Sequence, residues 1–424
     1  MNHTALMEAL NTPRGQERLT RLYGHRDDAP QRQTARYAAL ITRHAQLFGP
    51  QEKVLLVSAP GRTEIVGNHT DHNRGRVLAA AISLDTLAAV SPRGDMVVRL
   101  HSEGYPEIEL DLADLAPRHD EEGTTAALIR GVADGMQRRG YRVGGFDAAV
   151  TSQVLSGSGL SSSAAFEVMV CCALDALYNG GTVDAVVRAQ IAQYAENVHF
   201  GKPSGLMDQM ASSVGGMTAI DFEHDQPVID PLGFDFDQAG YALVVVSPGG
   251  SHDDLTPQYA AIREEMTAVA HQLGADTLRG ADRAQFDGQM AALRAQLGDR
   301  AVLRAMHYYT ENRRVTDAVA ALRAHDLPLF FDQVNASGRS SWQWLQNIAA
   351  SDRDQPLALA LALAQELLMG HGACRVHGGG FAGTTLNFVP NNKLEQFVDQ
   401  MSAVFGHGCC YVLDVRPEGA ARVL

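Results

Sequence analysis

The chain has 424 residues, of which 45% are hydrophobic and 20% charged, the composition of an ordinary soluble globular protein. Its 49 acidic residues outnumber its 35 basic ones, giving a formal net charge of -14 and an isoelectric point near 5.5. This balance excludes a general attraction to nucleic acid or anionic membranes, so an anionic substrate would need a local basic site. The length exceeds one hydrophobic core and predicts about two or three domains.

Targeting and membrane segments are not expected. Residues 1–21 are polar and lack the apolar core of a signal peptide, and the alanine-rich run at 357–364 is far too short to span a membrane. The cysteines have neither the CxxC spacing of zinc sites nor the pattern of a disulfide framework. They are Cys171, Cys172, Cys374, Cys409 and Cys410. We therefore expect a cytoplasmic protein with no nucleic-acid or membrane partner.

The first part of the chain reads as a mixed αβ domain. Residues 1–48 are helical and amphipathic in pattern, and residues 53–62 predict a buried strand that ends in a turn at Pro60 and Gly61. Strand-like runs follow within residues 77–112. A helix is predicted over 124–139, and the sequence FDAAVTSQV predicts another strand.

The second part predicts an α+β arrangement. A helix ending at Gly180 or Gly181 is followed by one over 183–196 and by a loop over 199–216. Strand-like MTAIDF and YALVVVSPG precede a helical region from Thr256 to about residue 350. Strand patterns around a glycine-rich turn, a helix from Asn392 and the strand CCYVLDV complete the chain. We expect an N-terminal domain over 1–214 and a C-terminal domain over 215–424.

A glycine-serine loop, residues 157–163, precedes an apolar-periodic helix. Its glycines let the backbone approach a ligand closely, and its serines supply hydroxyls where the helix begins. The first amides of a helix lack internal partners and carry partial positive charge, so this start predicts a phosphate site. An ordinary helix cap is the alternative. The candidate residues are Gly157, Ser158, Gly159, Leu160, Ser161, Ser162 and Ser163.

Two other nucleotide motifs are only partly matched. Gly201 and Lys202 are followed by proline, with no glycine five positions before Gly201, so they do not form a P-loop. Gly378, Gly380 and Gly383 have the GxGxxG spacing of a dinucleotide fold, but the strand-like TTLNFV that follows favours a turn between strands. Such a turn is either structural or a backbone wall beside a substrate or nucleotide.

A polar segment, residues 59–75, has the sequence APGRTEIVGNHTDHNRG. Amides, imidazoles and carboxylates at this density, next to an apolar strand, predict a site for a hydroxyl-rich ligand, because they can satisfy several sugar hydroxyls together. A metal site formed by His69, Asp71 and His72 is one alternative, and a plain polar loop is another.

Two carboxylates outside the polar segment are candidates for chemistry. Asp208 lies among apolar residues, where it would need a partner. If it faces Arg62, it stays ionised and points at a substrate hydroxyl. A helix-capping aspartate is the alternative. Glu196 could hold magnesium together with a serine hydroxyl of the glycine-serine loop, or it could be a solvated charge at a helix end.

In this order, the blocks resemble those of the GHMP small-molecule kinases, and in particular those of galactokinases. APGRTEIVGNHTDHNRGRVLAAAI resembles the galactokinase signature, and GSGLSSSAA the ATP-phosphate loop. GLMDQMASSVGG resembles the segment with the catalytic aspartate, and CRVHGGGFAGTTL the third GHMP block. The resemblance covers most of the chain. It implies the two-domain GHMP fold with the active site in the cleft between the domains.

The resemblance also implies roles for individual residues. Asp208 would be the catalytic base and Arg62 the cation that orients it, while Ser163 and Glu196 would hold Mg²⁺ and the glycine-serine loop would bind ATP. The implied reaction transfers the γ-phosphoryl group of ATP to the anomeric hydroxyl of galactose, giving α-D-galactose 1-phosphate and ADP, in a monomer or weak homo-oligomer. The implied sugar-binding residues are Asn68, His69, Thr70, Asp71 and Tyr259.

The chain departs from the galactokinase pattern at three positions. It has GNHTDH where the family usually has GEHTDY, so Asn68 replaces a glutamate that contacts the sugar and His72 replaces a tyrosine. Ser204 stands where the family often has cysteine. An amide carries no charge, so the hydroxyl it meets could belong to another sugar. A kinase for another sugar or small alcohol, and a non-catalytic sensor of sugar and ATP, remain alternatives to a galactose kinase.

Overall fold

The computed structural model describes residues 1–24, 29–154, 159–249, 255–349, 351–381 and 383–424. In these ranges the strands form one eight-stranded and one four-stranded sheet, both covered by helices. The strands are β1 (Leu55–Val66), β2 (Arg76–Pro92), β3 (Val97–Ser102), β4 (Ile108–Asp111), β5 (Phe146–Ser152), β6 (Met217–Asp221), β7 (Val228–Leu232), β8 (Tyr241–Val246), β9 (Ala373–His377), β10 (Thr384–Pro390), β11 (Cys410–Leu413) and β12 (Ala421–Arg422).

The helices lie where the sequence predicts helical segments, apart from those at Met207–Val214 and Pro356–Leu368. They are α1 (His3–Leu10), α2 (Pro13–Tyr23), α3 (Ala29–Phe48), α4 (Thr125–Arg138), α5 (Ser162–Tyr178), α6 (Ala185–Tyr194), α7 (Met207–Val214), α8 (Thr256–Gln272), α9 (Arg283–Leu297), α10 (Asp299–Arg323), α11 (Leu327–Ser340), α12 (Pro356–Leu368) and α13 (Leu394–Phe405). In the described ranges, no helix combines the length and apolar character needed to cross a membrane.

The first sheet has the strand order β12-β1-β2-β5-β3-β4, with β6 on β2 and β7 on β6. β1 is buried along its whole length, because helices and the rest of the chain cover both of its faces. The predicted turn at Pro60 and Gly61 is wrong: β1 runs through both residues and only shifts its register against β2 between Pro60 and Arg62. The strand therefore carries Arg62 rigidly within the sheet.

The predicted loop over 199–216 is also wrong in part, because α7 occupies Met207–Val214. Met207, Met210 and Ala211 have helical spacing and bury against Val77 and Ile220 of the first sheet. The glycines and proline before this helix mask the apolar periodicity in the sequence. Asp208 thus lies in the first turn of a helix.

The second sheet has the order β11-β8-β10-β9 and is antiparallel throughout. The glycine turn, described for residues 378–381 and 383, connects β9 to β10, as predicted from the strand-like sequence after it. A continuous apolar core joins the two sheets, with Ile65 and Leu78 of the first packed in one cluster with Leu243 and Leu386 of the second. The two sheets therefore share one apolar core.

The predicted domain division at residues 214 and 215 stays a prediction. β6 and β7, which follow that point in the chain, pair into the first sheet. By sheet membership, the chain passes from the first sheet to the second between Leu232 and Tyr241.

Candidate active site

A bidentate ion pair joins Asp208 of α7 to Arg62 of β1. Arg62 Nε lies 2.6 Å from Asp208 Oδ1, and Arg62 Nη2 lies 2.7 Å from Oδ2. The Arg62 side chain is 6% exposed, whereas the Asp208 side chain is 33% exposed. The carboxylate is thus fixed on one side by a planar cation and accessible on the other.

The charge state of Asp208 follows from this pairing. Burial opposes ionisation, but the charge and hydrogen bonds of Arg62, together with a hydrogen bond from Ser161, hold the pKa of Asp208 below its usual value. The carboxylate is therefore ionised at neutral pH. The alternative of a simple helix cap does not account for the paired guanidinium.

The described part of the glycine-serine loop reaches the same ion pair. Ser161 donates a hydrogen bond to Asp208 Oδ2, and Arg62 Nη1 donates one to the carbonyl of Gly159. Ser161 has a left-handed backbone, with φ of 62°, and α5 begins at Ser162. Leu160 is buried. Gly157 and Ser158, the first two predicted phosphate contacts, lie outside the described residues.

Glu196 lies in a π-helical turn, Ala195–His199, that continues α6. Its Oε1 accepts from Ser163 Oγ at 3.0 Å and from Lys202 Nζ at 2.8 Å, and its Oε2 accepts from Gln209 Nε2 at 2.8 Å. Glu196 is 2% exposed, so it is not a solvated charge at a helix end. The sequence prediction paired Glu196 with Ser163 and missed Lys202 and Gln209.

The donor set around Glu196 fits a magnesium ion. A carboxylate oxygen and a serine hydroxyl are hard oxygen ligands, and Mg²⁺ in kinase sites is bound by one or two such groups together with substrate phosphates. Glu196 Oε1 already holds a cation, the Lys202 ammonium, at 2.8 Å. Among the described residues, no group of three or more His, Cys, Asp or Glu side chains is arranged to hold a metal ion.

Asn68 is a fully buried amide of the polar segment. Its Nδ2 donates to Glu64 Oε1 at 3.0 Å and to the carbonyl of Gly378 at 2.8 Å. Its Oδ1 accepts from Ser341 Oγ at 3.1 Å and from Asn347 Nδ2 at 2.9 Å. The amide therefore connects the polar segment to the glycine turn, and its hydrogen-bonding capacity is used.

A second buried ion pair supports Asn68 and was missed from the sequence. Arg375 Nη2 lies 2.6 Å from Glu64 Oε1, and Arg375 Nη1 donates to the carbonyl of Ile65 at 2.9 Å. Burial raises the pKa of Glu64, and the charges of Arg375 and Arg62 act against that rise. A charged residue two positions after Arg62 in an apolar strand was the available signal.

Four further predicted sugar contacts lie around the glycine turn and the polar segment. His69 Nε2 lies 3.0 Å from the carbonyl oxygen of Gly379, and Tyr259 donates to the carbonyl of Gly380 at 3.0 Å. Both side chains are half-buried. Thr70 is fully buried, and its hydroxyl lies 2.9 Å from the Gly67 carbonyl oxygen and 2.6 Å from that of Arg76, closing the loop.

Asp71 is half-buried, as are His69 and Tyr259. A Cβ atom at Gly205 would lie 1.8 Å from Asp71 Oδ2, so only glycine fits beside this carboxylate. Burial, together with the neighbouring His72, lowers the pKa of His69 to about 4. The His69 imidazole is therefore neutral at pH 7.

Glu311 of α10 anchors the polar segment to the helical part of the molecule. Its Oε1 accepts from the backbone amides of Gly67 and Asn68 at 3.0 and 3.4 Å, and Ser337 donates to the same oxygen. Arg314 Nη1 lies 2.7 Å from its Oε2. Burial opposes ionisation of Glu311, but its hydrogen bonds and neighbouring groups lower its pKa to about 2.

Comparisons with known proteins show the class to which this chain belongs. Residues 42–92 match the galactokinase galactose-binding signature, and residues 127–216 match the N-terminal domain of GHMP kinases. A mevalonate kinase structure shares the fold, with a TM-score of 0.60 at 13% identity over 86% of this chain and all of that one. The fold and the site together define a small-molecule kinase of the GHMP class.

Proteins of higher sequence identity show which family within this class the chain belongs to. Galactokinase of Streptomyces coelicolor is 34% identical over 392 residues, which cover 90% of this chain and 97% of that protein. Galactokinase of Actinobacillus pleuropneumoniae serotype 3 is 34% identical over 346 residues, covering 80% of this chain and 86% of the relative. The structure of Lactococcus lactis galactokinase complexed with galactose matches with a TM-score of 0.79 at 25% identity, over 91% of this chain and 99% of that one. The chain belongs to the galactokinase family.

Proposed function

We propose that the protein is an ATP-dependent galactose 1-kinase with Asp208 as its catalytic base. The observation that carries this proposal is the ion pair of Asp208 with Arg62, which leaves the carboxylate partly exposed and joins it through Ser161 to the glycine-serine loop. An acceptor hydroxyl placed at the open side of Asp208 would lie beside a nucleotide bound at the start of α5.

In the proposed reaction, the anomeric oxygen of galactose forms a bond to the γ-phosphorus of ATP. The bond from that phosphorus to the bridging oxygen breaks, ADP leaves, and the hydroxyl proton passes to Asp208. Phosphoryl transfer has a loose transition state, so positioning and charge stabilisation dominate its catalysis. A carboxylate with a lowered pKa is a weak base, but it suffices when the proton leaves late, after the acceptor has become more acidic.

Ser163 and Glu196 are the proposed ligands of Mg²⁺. Their oxygen atoms meet where Lys202 now contacts Glu196 Oε1. When bound, the ion neutralises charge on the phosphate oxygens. Arg62 keeps the base ionised and aligned, and the first turn of α5 offers its amides to the phosphates.

For the sugar pocket we propose contacts from His69, Asp71 and Tyr259, which are half-buried. Asn68 and Thr70 we assign instead to support, because both are fully buried with their polar atoms engaged. The replacement of the family's glutamate by Asn68 then alters the support of the glycine turn, which keeps galactose as the proposed substrate.

The cellular setting is part of the same proposal. All five cysteines, which lie among the described residues, are free thiols. This supports a reducing cytoplasm as the site of action. We further propose a monomer or weak homo-oligomer, whose mass in solution a sedimentation measurement would report.

The test is turnover with a panel of acceptors. The protein is incubated with MgATP and galactose, other hexoses, mevalonate or homoserine, while ADP release is followed and the product is identified by phosphorus NMR. We expect galactose to give the highest kcat/KM and α-D-galactose 1-phosphate as product. A sample without acceptor measures background ATP hydrolysis. Tight binding of galactose and ATP without ADP formation would instead favour a sensor, and a better acceptor would reassign the substrate.

A further inference from the structure

Lys202 supplies a cation to the candidate active site, but the proposed reaction assigns it no role. The chain has only three lysines, at positions 53, 202 and 393. The Lys202 backbone amide donates to the carbonyl of Glu196 at 3.1 Å, and its ammonium turns back to Glu196 Oε1 at 2.8 Å. Its side chain is 58% exposed, whereas that of Glu196 is 3% exposed. The lysine is thus anchored by its backbone, and more than half of its side chain is open to solvent.

Lys202 lies close to Glu196 and Asp208, two residues of the candidate active site. Burial acts to raise the pKa of Asp208, and the charge of Lys202 acts with Arg62 and Ser161 to lower it. Desolvation acts to lower the pKa of Lys202 itself, but the charges of Glu196 and Asp208 outweigh it and the pKa is raised. Lys202 therefore carries a full positive charge within electrostatic reach of both carboxylates.

The other cation beside Asp208 is already committed. Arg62 directs Nε and Nη2 to Asp208 and Nη1 to the carbonyl of Gly159. ATP would bring several negative charges to this place, and P-loop kinases meet that demand with a lysine that reaches the outer phosphates. The Lys202 segment is not a P-loop, yet its backbone holds a lysine beside the proposed magnesium ligands.

A divalent cation and an ammonium group cannot both occupy Glu196 Oε1 without strong repulsion. We propose that Lys202 is a phosphate-binding residue, paired with Glu196 in the nucleotide-free protein and turned to a phosphate oxygen of ATP when Ser163 and Glu196 bind magnesium. The inference rests on the proposed function only in taking the glycine-serine loop as the nucleotide site. Galactose as the acceptor is not needed for it.

The first test is chemical modification of the wild-type protein. Acetic anhydride acetylates exposed lysine amines, and mass spectrometry reports each of the three lysines separately. With Mg²⁺ and a non-hydrolysable ATP analogue, we expect acetylation of Lys202 to fall about fivefold or more, because a contacting phosphate shields the amine. Lys53, which is exposed and lies outside the site, is the internal control and should not change. Unchanged or faster acetylation of Lys202 with the analogue bound overturns the proposal.

The second test uses Lys202→Met and Lys202→Arg, with Lys53→Met as the matched control. We expect Lys202→Met to lower kcat/KM for ATP roughly tenfold to a hundredfold with an unchanged KM for galactose, and Lys202→Arg to recover most of the loss. Affinity for the MgATP analogue, measured by calorimetry without sugar, should fall in Lys202→Met. Nucleotide affinity and kcat/KM within twofold of wild type overturn the proposal.

The two proposals fail in different ways. If the wild-type protein phosphorylates no acceptor, the galactose kinase proposal fails, while acetylation and calorimetry still decide the role of Lys202. If galactose is phosphorylated and Lys202→Met behaves as wild type, only the inference about Lys202 fails.

Discussion

Asp85 and Asp208 both form ion pairs with arginine, but they differ in their surroundings. Asp85 of β2 contacts the guanidinium groups of Arg36 and Arg416 and has no exposed surface. Asp208 contacts one guanidinium, that of Arg62, and its side chain is 33% exposed. Access, more than charge pairing, separates a carboxylate that can meet a substrate from one that holds the fold.

The hydrogen bonds around Asp85 show what its site is for. Tyr23 donates to Asp85 Oδ2 at 2.5 Å, and Ser58 donates to the same oxygen. Arg36 lies on α3, and Arg416 comes from the C-terminal part of the chain, so one carboxylate ties both to the first sheet. Burial opposes ionisation, but the two arginines hold the pKa of Asp85 below its ordinary value. Asp85 is fully buried in this cluster, so it has no exposed face for a ligand.

The largest expected effect is on the kcat of an Asp208 variant, and it distinguishes Asp208 from Asp85. Asp208→Asn should lower kcat by roughly a thousandfold or more, because the proposed base is lost while the side-chain shape is kept. The free energy of unfolding should fall less than in the corresponding Asp85 variant, because Asp208 is partly solvated and pairs with one guanidinium instead of two. The affinity for the ATP analogue should change little. Steady-state ADP release, calorimetry and urea unfolding measure the three quantities. Turnover near the wild-type rate would remove Asp208 from the mechanism.

The same substitution at Asp85 should give the opposite result. Asp85→Asn leaves the buried guanidinium of Arg416 and the largely buried one of Arg36 with an uncharged partner, which is expected to lower the free energy of unfolding by about 3–5 kcal/mol. Protein that remains folded should keep its kcat, because the Asp85 side chain contacts Tyr23, Ser58 and two arginines, none of which has a role in the proposed reaction. Urea unfolding, with ADP release measured at low temperature, checks this. A stable variant with reduced kcat would show that the comparison is wrong.

Glu311 sharpens the comparison, because it is a buried structural carboxylate that contacts the polar segment. Its pKa of about 2, against an ordinary 4.5, corresponds to roughly 3 kcal/mol of stability. Since the folded-state pKa is the lower one, this contribution is complete above pH 4.5 and is lost as the pH falls toward 2. Glu311→Gln should therefore be less stable than wild type at pH 7, with a smaller difference at pH 3.

The measurement for Glu311 is urea unfolding of both proteins at the two pH values. The variant should also show a raised KM for galactose, because Glu311 holds the amides of Gly67 and Asn68 beside the proposed sugar contacts. A stability difference that grows on acidification would contradict the assigned ionisation.

Local patterns in the sequence were sufficient to predict most of the helices and strands. Strands β2 to β5 and helix α4 came from hydrophobic periodicity, and the turn between β9 and β10 from the strand-like residues after its glycines. Two local signals misled: Pro60 and Gly61 suggested a turn within β1, and the Gly/Pro-rich start of 199–216 hid α7. In both cases burial in the tertiary structure outweighs the local preference.

The site was predicted less completely. Family resemblance named Asp208, Arg62 and the glycine-serine loop, and the structure brings their described atoms together, while their roles stay proposals. The contacts of Glu64 with Arg375 join residues more than 300 positions apart, which no local pattern reveals. Lys202 was considered only as a P-loop lysine, since its approach to Glu196 depends on a π-helical turn that sequence periodicity does not show.

Strand β12 adds a kinetic consequence. Val57 and Ser58 of β1 pair with Arg422 and Ala421, and the amide of Ala420 donates to the carbonyl of Ser212 in α7. β1, which carries Arg62, and α7, which carries Asp208, can therefore make these contacts only after translation has passed residue 422. During synthesis on the ribosome, the edge of β1 stays open to chaperones or to wrong pairing while some 360 further residues emerge.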